Sequence, residues 1–165
     1  MDSNPTTLRT RAVSGLLQAL VTAVAAWFSF VSSSLFGLRE GYWAAISAIV
    51  VLQSEMQQTK FSGRDRFIGT AIGGVIALAC ASHWQSRSWI YALAVAVAVF
   101  ICWLCNVSGA GRLAAVTVSI IVLIPQHEPV WKVALFRFLE VSWGITVALC
   151  AVYLESTMLR PQAAK

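Results

Sequence analysis

Apolar residues in this chain fall into long blocks set off by short charged or polar interruptions. The blocks lie near residues 12–38, 41–54, 67–82, 88–105, 111–125 and 130–154. Several approach the roughly 20 residues that cross a bilayer as a helix. The pattern predicts an all-α, polytopic membrane protein of six transmembrane helices. A membrane β-barrel would show alternating segments of about ten residues, whereas YALAVAVAVFICWLC, from Tyr91 to Cys105, is apolar on every side.

Two blocks are short. Tyr42–Ser54 is bounded by Glu40 and Glu55, and Leu113–Ile124 by Arg112 and Pro125, so neither run spans comfortably. The first block follows a basic start and has the outline of a secretory signal. Its apolar run continues to about Gly37 and five more blocks follow, so it reads as a retained helix. Composition agrees: 58% of residues are hydrophobic, 12% are charged, and the mean hydropathy is +0.73, outside the range of a soluble domain. The chain reads as one six-helix domain over residues 1–165, with the lipid bilayer as its first partner and no soluble domain beside it.

Charge orients the bundle. With both termini in the cytoplasm, the inner ends carry Arg9, Arg11, Lys60, Arg64, Arg66, Arg112, Arg160 and Lys165, and the outer ends carry Arg39, Arg87 and Lys132. That is the bias expected of a positive-inside protein, and it gathers Trp43, Trp84, Trp89 and Trp131 at the outer interface. The net charge of +5 is therefore topological; no basic stripe with interleaved aromatics suggests nucleic acid. Cys102 and Cys105 have the spacing of a redox pair, but thiols in apolar runs stay protonated, so they read as small packing residues. His83 and His127 fall in outer loops without supporting ligands. No metal, no cofactor and no enzymatic activity are expected, since paired carboxylates and a Ser/His/Asp set are missing too.

The chain repeats at about 70 residues. Ala44-Ala45-Ile46-Ser47 matches Ala114-Ala115-Val116-Thr117, and RFIGTAIGGVIAL from Arg66 matches RFLEVSWGITVAL from Arg137. Three spans per copy is an odd number, so the second copy is upside down: two inverted three-helix repeats, about 9–83 and 84–158. Arg66 is then expected at the cytoplasmic end of the third helix and Arg137 near the external end of the sixth. Matching charges in inverted halves belong to the architecture of secondary transporters, whose sites lie at the repeat interface.

The arginine at the head of each copy admits several readings. A phosphate loop would need a lysine and a preceding soluble strand, and neither is present. Gly69 and Gly73 form a GxxxG pair that lets another helix approach, and Gly144 is their counterpart in the second copy. Arg66 is either a topological anchor beside Lys60 and Arg64 or one wall of an anion site. Arg137 lies on the side where arginines are avoided. Only fourteen residues separate Glu140 from Glu155, about 21 Å against a core of about 30 Å. Arg137 and Glu140 must therefore enter the membrane, as a structural ion pair or as the lining of a substrate path. Gln53 and Ser54, with Thr117 and Ser119, place polar groups on the two short helices, where interrupted segments point to a binding site.

EGYWAAISAIVVLQ, RFIGTAIGGVIALA and RFLEVSWGITVALCAVYL, with the closing Arg160-Pro161, resemble the fusaric-acid-resistance and aromatic-acid-exporter family over nearly the whole chain. The resemblance implies an integral membrane transporter unit that exports aromatic or other weak organic acids on the proton gradient. Plant malate channels are distantly similar, which keeps an anion channel open, and a non-transporting accessory subunit is a further alternative. By the family pattern Tyr42, Trp43, Arg66, Gly69, Thr70 and Gly73 carry over; Glu140 and Val141 depart from it in the second copy. The expected substrate site is Arg66, Arg137, Tyr42, Trp43, Thr70 and Gln53, with Glu140 carrying the proton. The expected setting is a bacterial inner membrane. The expected partners are a small organic anion, a second copy in a homodimer and, as in larger relatives, a membrane-fusion protein.

Overall fold

A computed structural model describes residues 5–37, 40–81, 88–124 and 128–158. Among them the chain is all helical: α1 (Pro5–Leu35), α2 (Tyr42–Val51), α3 (Met56–Ala81), α4 (Ser88–Leu104), α5 (Ser108–Leu123) and α6 (Val130–Met158). His83, Trp84, Pro125 and His127 lie outside the described residues. Thr10–Leu35 and Val130–Thr157 are long and apolar enough to cross a membrane. Cys102 is buried on α4 and Cys105 is exposed just past its end, both as free thiols.

Two boundaries differ from the sequence expectation. α3 begins at Met56, so Met56–Arg66 is helical although six of its eleven residues are charged or carry a side-chain amide. Arg66 is consequently the eleventh residue of its helix, about 15 Å along it, and not at its head. α5 likewise begins ahead of Arg112, at Ser108. α2 remains short, ten residues or about 15 Å. It ends where Leu52 turns extended (φ −67°, ψ 117°). Thr59 in the first turn of α3 then holds the connection, its hydroxyl accepting from the Gln53 N–H at 3.0 Å. α4 closes with Asn106 in the left-handed region (φ 58°), the Val107 and Asn106 N–H groups bonding back to the carbonyls of Cys102 and Trp103. This is the cap that a short polar residue such as Asn tolerates in place of glycine.

The helices pair in a regular scheme. α3 packs on α5 as α6 packs on α2, α4 on α5 as α1 on α2, and α3 on α4 as α6 on α1, while α3 and α6 cross each other. Small residues set the closest approaches. A Cβ on Gly73 would meet the Ala114 carbonyl oxygen at 2.5 Å and Thr117 Cβ at 2.8 Å; on Gly144 it would collide with the Ala44 carbonyl oxygen and meet Ser47 Cβ at 2.8 Å. Gly69 has a similar contact with the Ala110 carbonyl, 2.7 Å away. Because the obstacle is backbone, the neighbouring helix must move as a body. Gly144→Ala is expected to destabilise the protein by about 1–3 kcal/mol, the usual overpacking range, read as a lower melting midpoint in detergent; an unchanged midpoint would show that α2 and α6 slide apart freely.

Candidate functional site

The crossing of α3 and α6 brings the two arginines together. Phe67 and Phe138, the residues that follow them, have ring centroids 4.8 Å apart, and the guanidiniums of Arg66 and Arg137 repel each other across the interface. The expected separation of these arginines to opposite ends of the bundle is therefore corrected: α3 starts early enough to carry Arg66 inward. Both side chains are buried, Arg66 5% and Arg137 4% exposed.

Their surroundings differ. Arg137 is held by a compact set of partners. Its Nη2 donates to Glu40 Oε2 at 2.7 Å, its Nη1 lies 3.9 Å from Glu140 Oε2, and its guanidinium stacks 4.0 Å from the centroid of Trp43. The Trp43 indole N–H donates to the same Glu40 oxygen at 3.1 Å, and the Glu40 backbone N–H donates to Glu140 Oε1 at 3.1 Å. Glu140 is 1% exposed. Arg66 has neither an ion pair nor a side-chain hydrogen bond among the described residues, and its Nε is buried without an acceptor. A desolvated guanidinium without a carboxylate is costly, which sets Arg66 apart from Arg137.

The other expected site residues divide. Trp43 is in the cluster, with one face covered by Arg137 and its N–H taken by Glu40. Tyr42 lies beside it, ring centroids 5.4 Å apart and the rings tilted by 43°, and is about half exposed. Thr70 is buried one turn beyond Arg66, and its hydroxyl bonds the Arg66 carbonyl at 2.8 Å. Gln53 lies past the opposite end of α2 from Trp43, beside a cleft lined by Ser54, Glu55, Glu155 and Ser156. Carboxylates there would repel an anion, so the structure does not bring Gln53 into the cationic cluster. Glu40 is the residue that sequence reasoning missed: it reads as the edge of an apolar block, and only a contact across 97 positions makes it part of the site.

The family model for fusaric acid resistance protein-like proteins matches residues 14–151. The chain belongs to that family. Membership makes it a membrane-associated protein of a transporter and resistance class, consistent with its apolar helices, and the match includes both arginines and both halves of their setting. No curated protein and no solved structure matches the chain.

Proposed function

We propose that this family member is a multi-pass inner-membrane transporter that exports organic anions, aromatic carboxylates among them, with Glu140 as proton carrier. The observation that carries the reading is Arg66: a buried cation in mid-helix, without a protein counter-ion among the described residues, beside a second guanidinium. A carboxylate between them would satisfy donors that the protein leaves unpaired. The exposed ring of Tyr42 beside Trp43 supports contact with an aromatic carboxylate.

The helix pairing supports two inverted three-helix repeats, because exchanging α1, α2 and α3 with α4, α5 and α6 reproduces the whole scheme. Gly73 against Ala114 and Gly144 against Ala44 are counterparts under the same exchange. In this arrangement both termini are cytoplasmic, and Glu40 and Arg137 lie toward the outside. Larger relatives with two units suggest that two copies work together.

The test is flux of radiolabelled benzoate in proteoliposomes with and without an imposed pH gradient. Uphill accumulation driven by the gradient is expected in the wild type. Glu140→Gln should abolish that accumulation while benzoate still binds. Uncoupled flux that survives Glu140→Gln unchanged would favour a channel, and no flux of any carboxylate would favour an accessory subunit.

A further inference from the structure

Three of the four charged side chains in the cluster are sealed off: Arg66, Arg137 and Glu140 are each at most 5% exposed. Glu40 is different. Its side chain is 40% exposed, and it sits in the turn before α2 rather than within a helix. Its carboxylate nevertheless makes the short bond to Arg137, at 2.7 Å. Glu40 is thus a partly exposed carboxylate on a tether, bound to a guanidinium that a transported carboxylate would seek.

We propose that Glu40 is an internal competitor of the substrate: its carboxylate occupies Arg137 until an incoming anion displaces it, and its return drives the anion outward. The inference rests on the anion-transport reading above and adds the residue that sets its apparent affinity.

Exchange solves an energetic problem that simple binding would not. Breaking the contact to Arg137 with nothing in its place would leave this buried cation with only its longer, 3.9 Å contact to Glu140, which is costly for a desolvated guanidinium. Swapping one carboxylate for another keeps Arg137 neutralised throughout. Glu40 can leave because it already has access to water, whereas Glu140 cannot. Its departure also has a mechanical effect. The Glu40 N–H is held by Glu140 Oε1, the Glu40 carbonyl accepts from the Trp43 N–H in the first turn of α2 at 2.9 Å, and the neighbouring Gly41 is seated against the Ser33 hydroxyl and the Phe30 carbonyl of α1. Moving Glu40 therefore loosens the start of α2 on the outer side, where the anion must exit. Two more donors on Arg137, its Nε and Nη1, have no hydrogen-bond acceptor, although Nη1 lies 3.9 Å from Glu140, and they can take the arriving anion while Glu40 still occupies Nη2.

The experiment is calorimetric titration of purified full-length protein with benzoate, comparing wild type with Glu40→Gln. Glutamine keeps the shape and an oxygen acceptor for Trp43 and Arg137 but removes the charge. Loss of the competitor should tighten benzoate binding by about tenfold, and should slow its release, so that outward flux falls while affinity rises. The sign separates competition from damage, since a merely structural Glu40 would weaken binding when replaced. If Glu40→Gln does not fold, Glu40→Asp takes its place: its carboxylate reaches Arg137 less well and should tighten binding in the same direction. Wild-type binding that these variants leave unchanged or weaker overturns this inference and leaves the anion-transport reading standing. No benzoate binding by wild type or variant overturns both.

Discussion

Arg66→Gln is expected to eliminate anion flux while leaving the folded protein at least as stable as the wild type. Most replacements of buried residues destabilise, so the combination is diagnostic. Arg66 is desolvated, lacks a carboxylate partner among the described residues and faces the like charge of Arg137. Removing the charge relieves both penalties, and glutamine still offers donors to the interior. Binding should fall by about 10- to 100-fold, since each hydrogen bond to a charged group is worth about 1.5–3 kcal/mol. Flux and thermal melting measured on the same preparation check it. A variant that transports normally and melts lower would return Arg66 to the role of a topological anchor beside Lys60 and Arg64.

Arg137→Ala should have the opposite signature, a loss of about 3–5 kcal/mol in stability, the usual effect of removing one partner from a buried ion pair. Two carboxylates would be released. Glu40 can turn to water, but Glu140, at 1% exposure, would be left buried with no cation. Replacing both Arg137 and Glu140 by Gln removes the orphaned charge, and the double variant should recover near wild-type stability because neutral groups of similar size commonly substitute for buried pairs without loss. It should remain inactive in benzoate flux. Recovery of transport together with stability would mean that the pair only neutralises itself. Measured as a double-mutant cycle, the coupling between the two positions should be well above the few tenths of a kcal/mol seen for independent sites.

The helices are legible because their apolar runs are long, and the short second segment because Glu40 and Glu55 bound it, whereas α5 runs through Arg112 from Ser108. What run length cannot reveal is a helix that is polar. Met56–Arg66, MQQTKFSGRDR, contributes no apolar block, so hydropathy hides the start of α3 and puts Arg66 at a helix end rather than in its interior. Arg137 and Glu140 were legible for the converse reason: the apolar run after them is too short unless they belong to the same helix. Glu40 gave no local signal. Its role arises from a contact with a residue 97 positions away, which neither hydropathy nor spacing encodes. The same holds for Gln53, whose polarity on a short helix suggested the site although the length of α2 carries it away from Trp43. The repeat expected from the sequence is faint in identities; in the structure Gly73 and Gly144 each rest against the carbonyl of an alanine, Ala114 and Ala44, that the same alignment pairs.

The charges gathered around Arg137 have a further consequence in electrical work. Arg66 and Arg137 contribute two positive charges and Glu40 and Glu140 two negative ones, so in its ionised form the unloaded cluster is neutral and a transmembrane voltage finds no net charge there to pull. In the proposed cycle a monocarboxylate entering it adds one negative charge to the loaded protein, because a displaced Glu40 stays tethered beside the site. A cell interior held negative pushes that charge outward with about 2.3 kcal/mol for every 100 mV, which corresponds to about a 50-fold concentration ratio. A proton on Glu140 cancels the added charge, so the protonation of one buried carboxylate decides whether the loaded protein moves with the field or is indifferent to it.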